Sequence, residues 1–317
     1  MSTVNHRLVH VPPEKRALDV EQNVLAFRHE LQSSALFSDA ALAKLIDEHP
    51  HEDLHVHTMS GTNESPNYLD ADVGSLGGAD VLAAIKRGRI WLSVVHVEEH
   101  AAYRELLDRL YEELEAQSSI RTGKRPRLAN LLISSPTAEV FYHADAQPNV
   151  LWHIRGRKQL IVYPPWDARF MSAENRELCL LGMLMDDVYR PENERYATTF
   201  DMGPGDVVTW PQSTPHRVVN VEGLNVSISS EHHTAASKRR QRVAAANWFF
   251  RNRFGLPMRT LQGDGAVAAL KRGAYLACKA VGRVFGGGSL VPTDEDPTAT
   301  IRLDPHDPRG YVEIAGR

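Results

Sequence analysis

Residues 143–165 read HADAQPNVLWHIRGRKQLIVYPP, and residues 203–220 read GPGDVVTWPQSTPHRVVN. These two stretches decide the fold. Each alternates short runs rich in β-branched and aromatic residues with Gly, Pro, Asn or Asp. The same texture runs from about Arg127 to Ser230, through LANLLIS, AEVFYHAD, NVLWHIRG, KQLIVYPP, DVVTWP, HRVVNV and NVSISS. Many short strands at close spacing predict an antiparallel barrel or jelly roll, in a chain that is mainly β with flanking helices. Residues 166–199 interrupt it with an insertion of loop and helix, and insertions of that length often carry function. Within it, the apolar run 178–185 reads as a buried helix or, with Asp186-Asp187, as a lid.

Outward from this core the pattern turns helical. Ser38 precedes a helix whose apolar face is Leu42, Leu45 and Ile46. Residues 51–80 are polar and turn-rich and read as loops. A short helix over 81–87 stops at Gly88, a strand covers 90–95, and an amphipathic helix covers 100–117. Helices are expected over 235–253 and 265–285, with an extended tail from Gly286. The expected organisation is an N-terminal α/β segment over 1–90, a catalytic core over 91–235, a helical region over 236–290 and a tail over 291–317.

Composition narrows the chemistry. The chain has 317 residues and only 2 Cys, which excludes a disulfide framework and a four-thiolate zinc site. It has 15 His, so any bound metal is held by nitrogen and oxygen. No apolar run approaches the length of a membrane span, and the opening residues lack the apolar stretch of a signal peptide. A cytoplasmic setting is expected. The formal net charge of −4 gives no reason to expect a nucleic-acid partner. Residues 237–285 nevertheless form a basic helical block. It reads first as an appendage packed on the barrel and forming a homodimer, then as an interfacial membrane helix, then as a nucleic-acid contact.

The strongest chemical signal is His143-Ala144-Asp145. On a strand these two side chains point to one face. With His216, which follows the turn 203–206 and the strand 207–211, they offer two imidazoles and a carboxylate. Such a set occupies one face of an octahedral metal and suits non-haem Fe(II) chemistry. His51-Glu52-Asp53 and His55-Val56-His57 offer similar spacings without a matched third ligand. They read as ordinary histidines, as do His232, His233 and His306.

The segments quoted at the outset, in this order, resemble the jumonji-C/cupin-like family, over residues 127–230. The resemblance implies a double-stranded β-helix and an oxygenase using Fe(II), O₂ and 2-oxoglutarate. It looks closest to the protein-hydroxylase branch that includes the asparaginyl hydroxylase acting on hypoxia-inducible factor. It implies His143, Asp145 and His216 as iron ligands and Lys158 as the cation for the far carboxylate of 2-oxoglutarate. Asn149 matches an asparagine that positions the co-substrate. A solvated hairpin lysine and a turn asparagine are the plain alternatives. The branch carries a threonine three residues before the first iron histidine, where this chain has Val140. Ser227, Ser229 and Tyr142 are candidates for the missing hydroxyl.

Trp152 and Trp210 read as lining a substrate entrance or as core. Arg155, Arg157 and Arg217 read as anion contacts or solvated surface. The primary substrate, a peptide side chain or a small metabolite, is left open. A cupin-type metalloenzyme without 2-oxoglutarate, or a non-catalytic binding module, are the rival readings.

Overall fold

The computed structural model describes residues 6–122, 128–183, 189–284 and 300–314. Met185, Asp186 and Asp187 of the expected lid, and the tail over 285–299, lie outside the described residues. The strands are β1 (Val9–His10), β2 (Leu25–His29), β3 (Leu54–Met59), β4 (Tyr68–Asp72), β5 (Ile90–Val94), β6 (Leu128–Ser134), β7 (Glu139–Ala144), β8 (Asn149–Val162), β9 (Thr198–Met202), β10 (Asp206–Trp210), β11 (Pro215–Glu231), β12 (Ile301–Leu303) and β13 (Tyr311–Glu313). The helices are α1 (Asp39–Glu48), α2 (Gly78–Arg87), α3 (Ala101–Gln117), α4 (Ala173–Leu180), α5 (Ala235–Phe254) and α6 (Ala266–Val284).

Two long strands organise the rest. β8 and β11 pair antiparallel along their length, from His216 opposite Val162 to Glu231 opposite Asn149. The pair bends in the middle, where its register shifts. Gly156 sits at the bend with φ +80°, and Gly223 with φ +69°. Beyond the bend each strand has new neighbours. One half of the pair carries β9 and β7 on its edges; the other carries β10 and β6. The folded pair thus forms two layers of a jelly roll, as the alternating strand signals predict. β2 extends the second layer beyond β10, and β5, β3 and β4 extend it beyond β6.

The helices form where the apolar spacing and caps direct them. Ser38 accepts a hydrogen bond from Ala41 N and opens α1, which buries Leu42, Leu45 and Ile46. α2 ends at Gly88. Tyr111 and Leu114 of α3 share the main core with Trp152 of β8 and Phe27 of β2.

The structure differs from the sequence reading in three places. Residues 51–80, read as loops, contain β3, β4 and the start of α2. Their polar letters mislead because β3 and β4 lie far out on the sheet, where β4 is only half-buried. The expected boundary at residue 90 is crossed by hydrogen-bonded strand pairs, β2 to β10 and β3 to β5. Residues 300–314, expected as extended tail, form the hairpin β12–β13, and β12 joins β4 in parallel.

The bend depends on Gly156. A Cβ there would stand 2.8 Å from both the Asn225 side chain and the Leu224 carbonyl oxygen, and the positive φ disfavours any L side chain. Gly156→Ala is expected to cost about 1–3 kcal/mol of stability, read as a lowered midpoint in chemical denaturation. An unchanged midpoint would contradict this account of the bend.

Candidate metal centre

The β7–β11 pairing places His143 directly opposite His216. Asp145 follows β7 in the turn toward β8. A second turn, 211–214, is tied to the first: Ser213 N donates to the Asp145 carbonyl oxygen at 2.9 Å. Ser213 holds φ +51°, an uncommon conformation for a non-glycine residue. Arg176 of α4 donates to the Ser213 carbonyl at 3.1 Å. The turn that bears Asp145 and the turn that leads into His216 are therefore fastened together by the fold itself.

The side chains converge. His143 Nε2 lies 3.9 Å from Asp145 Oδ1, and His216 Nε2 lies 3.7 Å from Asp145 Oδ2. One donor atom from each of the three residues falls within 4.8 Å of the other two. His143 Nδ1 is 2.7 Å from the Phe141 carbonyl oxygen, and His216 Nδ1 is 3.0 Å from the Thr214 carbonyl oxygen. A carbonyl only accepts, so Nδ1 carries a proton in both rings, and the tautomer this selects turns Nε2 toward Asp145 as the ligating nitrogen. Burial, then the neighbouring His143, pushes the His216 pKa down to about 4, so its ring is neutral and ligand-competent near pH 7. Two nitrogen lone pairs and a carboxylate oxygen facing one point fit a divalent transition ion.

The carboxylate is oriented by its neighbours. Asn149 Nδ2 donates to Asp145 Oδ2 at 2.9 Å, and Trp210 Nε1 donates to the same oxygen at 3.2 Å. The Trp210 ring also packs on His216, with centroids 4.5 Å apart. The Asn149 amide is held in turn by Ser229 Oγ at 2.8 Å. Solvent reaches the centre from the His143 side: that side chain is 36% exposed, against 4% for His216. On this side Asn63 Oδ1 and the Tyr68 hydroxyl accept the Tyr142 and Phe141 amides at 2.8 and 2.7 Å, covering the outer edge of β7.

Deeper in the barrel, at the bend of β8, sits Lys158. It is fully enclosed, and its hydrogen bond is to Ser227 Oγ at 3.1 Å. No carboxylate pairs with it among the described residues. Burial pushes its pKa down to about 7. The solvated-lysine alternative does not hold.

The family model described as a cupin-like domain matches residues 84–255, more than half of the chain. This chain belongs to the cupin-like domain family. No curated protein matches it. Among solved structures, Escherichia coli ycfD aligns with TM-score 0.44 and 13% identity, covering 82% of this chain and 65% of that one. The Escherichia coli ribosomal oxygenase YcfD aligns with TM-score 0.42 and 12% identity, over 82% and 64%. YcfD in complex with cobalt and 2-oxoglutarate aligns with TM-score 0.41 and 14% identity, over 82% and 64%. The chain thus spans slightly less than two thirds of the length of these structures.

Of the residues expected in this cupin-like protein's site, the barrel gathers His143, Asp145, His216, Asn149 and Trp210 at one end and Lys158 with Ser227 at the bend. Trp152 does not line an entrance. It is completely buried on the opposite face of β8, where its Nε1 donates to Ser230 Oγ at 2.9 Å and it meets Phe27 and Tyr111 edge-on. Strand alternation explains the miss: Trp152 is one residue out of phase with Leu151 and His153. Trp210 braces the metal ligands rather than an open wall.

Of the three hydroxyls, Ser227 reaches Lys158, Ser229 reaches Asn149, and the Tyr142 hydroxyl donates to the Phe170 carbonyl oxygen on the outer face. Arg155 binds Asp39 Oδ1 at 2.7 Å and Arg217 binds Glu194 Oε1 at 2.8 Å, both away from the metal ligands.

The decoy histidines have structural partners. His57 contacts Asp70 on the adjacent strand at 2.7 Å, and His55 contacts the Glu52 carbonyl oxygen at 3.2 Å. Four arginines of the basic block have acid partners: Arg240 pairs with Glu21, Arg251 with Glu177, Arg259 with Glu174 and Arg239 with Asp264. In the insertion, the apolar run begins within α4, where Cys179 and Leu180 are buried, and residues 181–183 follow the helix as a partly exposed turn. No helix among the described residues is long and apolar enough to cross a membrane.

The sequence reading passed over two interior residues. Glu231 follows Ser227 and Ser229 at a period of two on β11, and lies opposite Asn149. Burial, with the charge of Asp145, raises its carboxyl pKa to about 8. His153, in phase with Asn149 on β8, is 0% exposed and bonds Ser227.

Asn149→Ala removes a hydrogen bond that orients the Asp145 carboxylate. Divalent-metal affinity, measured by calorimetric titration, is expected to fall roughly 10–100-fold. Unchanged affinity would contradict this role.

Proposed function

We propose that this cupin-like protein is an Fe(II)- and 2-oxoglutarate-dependent oxygenase. It hydroxylates an unactivated C–H bond of a peptide side chain or small metabolite. 2-Oxoglutarate, O₂ and the substrate R–H become succinate, CO₂ and R–OH. The observation that carries this reading is Lys158, a buried cation with no acid partner among the described residues, in the same barrel interior as a two-histidine, one-carboxylate cluster. An isolated buried charge is costly, and a carboxylate ligand with hydrogen bonds offsets that cost. A dicarboxylic keto acid has one end for the metal and one for the lysine.

Each residue has a defined task. The Nε2 atoms of His143 and His216 and a carboxylate oxygen of Asp145 would hold Fe(II). Bound there, iron supplies the oxygen activation that side chains lack. Asn149 and Trp210 fix the Asp145 carboxylate. Lys158 binds the far carboxylate of the co-substrate, while Leu151, Leu160 and Val162 keep the barrel interior apolar beside it. The primary substrate approaches from the exposed His143 side, past the 60–68 segment. A metalloenzyme that does not use 2-oxoglutarate would leave Lys158 without a ligand, and a binding module would need none of the oriented Nε2 lone pairs.

The direct test is anaerobic purification, Fe(II) loading, and measurement of succinate release on admitting O₂. Wild type is expected to convert 2-oxoglutarate slowly without primary substrate, and His143→Ala is expected to lose that turnover. Equal turnover in the two would refute the proposal.

Lys158 makes the binding pH-dependent. Its pKa falls from 10.5 in the unfolded chain to about 7 when folded. Between those values the unfolded state holds the extra proton, so stability rises with pH across that window. Binding of a dianion needs the ammonium form, so 2-oxoglutarate affinity should weaken above pH 7, with proton uptake on binding. Calorimetry in buffers of different ionisation enthalpy checks both. Lys158→Met is expected to abolish 2-oxoglutarate binding and raise Tm by on the order of 2–8 °C, because a buried lone charge is removed. A lowered Tm with retained binding would contradict this assignment.

A further inference from the structure

His153 sits between Lys158's anchor and the bend of β8. Its ring Nε2 lies 3.0 Å from the Gly156 carbonyl oxygen, and Nδ1 lies 2.9 Å from Ser227 Oγ. Ser227 Oγ in turn meets Lys158 Nζ at 3.1 Å. The backbone carbonyl of His153 is itself fixed by His29 Nε2 at 2.8 Å.

The direction of every proton in this chain follows from which atoms can donate. Gly156 offers only a carbonyl, so His153 Nε2 carries the ring proton. Burial, then the Lys158 charge, holds the imidazole pKa down to about 3, so the ring is neutral and Nδ1 only accepts. The Ser227 hydroxyl must therefore donate to Nδ1. Its oxygen is left as an acceptor for Lys158, which has three protons and no lone pair.

We propose that His153 is a positioning residue for the co-substrate subsite. By taking the Ser227 proton it makes that hydroxyl a pure acceptor, which fixes Lys158 through one ammonium proton and leaves two for a carboxylate ligand. This inference rests on the 2-oxoglutarate reading and deepens it. It also assigns the hydroxyl question raised by Val140: Ser227 does not donate to the ligand. Specificity at this end of the cavity comes from the aim of a single ammonium group.

Calorimetric titration of the Mn(II)-loaded full chain with 2-oxoglutarate tests this. His153→Phe is expected to weaken 2-oxoglutarate binding roughly 10–50-fold, by analogy with the loss of other supporting contacts. Mn(II) affinity should stay within about twofold, since the metal ligands are untouched. His153→Gln, with one amide donor and one carbonyl acceptor, should recover most of the loss. Equal 2-oxoglutarate affinity in wild type and His153→Phe, or no recovery in His153→Gln, would overturn the proposal.

If wild type itself binds no 2-oxoglutarate, the function above falls, and the relay is judged separately. Nitrogen-15 imidazole NMR of the metal-free chain should show His153 neutral and protonated on Nε2 from about pH 5 to pH 9. Titration within that range, or a proton on Nδ1, would overturn the relay. This measurement also decides the matter should His153→Phe fail to fold.

Discussion

The β8–β11 ladder is the constraint on which everything else depends. One antiparallel pair, bent at Gly156 and Gly223, supplies both layers of the barrel. Its two ends fold toward each other and meet at the metal cluster: His216 stands at one end of β11, and Asn149 at the start of β8 holds Asp145. Its bend carries Lys158, Ser227 and His153. The separation of the His143–Asp145–His216 cluster from Lys158 is thus a property of one folded strand pair. A register slip of one residue would turn Asn149, His153 and Lys158 out of the barrel and Trp152 into it.

The charge arrangement follows from that geometry. The end with His143, Asp145 and His216 presents two imidazoles whose Nδ1 atoms are held by carbonyls and one oriented carboxylate. The deep end presents Lys158, which has no acid partner among the described residues. A fold selected only for stability would fill this space with apolar side chains, as β8 does at Leu160 and Val162. A buried lysine without an acid partner among the described residues costs stability instead, which is a recurrent arrangement at functional sites. The basic helix α5 differs: its Arg240 and Arg251 meet Glu21 and Glu177, which tie it to the rest of the fold.

Much of this was legible in the sequence because it depends on short-range periodicity. The spacing of His143 and Asp145 fixes a shared face, and the β-branched runs fix the strands. α1, α2, α3, α5 and α6 lie within a few residues of where caps and apolar spacing put them. Strands β3 and β4 were not legible, because half-buried positions near the sheet's edge tolerate polar residues. Trp152 was misread because two faces of β8 are buried, so burial alone does not say which face looks into the cavity. His153 and Glu231 were missed for a related reason. Their surroundings depend on which residues face each other across the β8–β11 pair, and that register is set by a bend no local pattern announces.

The central claim is that the metal cluster and Lys158 form one site occupied by one ligand. The measurement that tests it most directly is 2-oxoglutarate affinity with and without bound divalent metal, paired with metal affinity with and without 2-oxoglutarate. The account predicts strong mutual enhancement, equal in both directions, and lost in Lys158→Met. Metal and 2-oxoglutarate that bind independently of one another would contradict it.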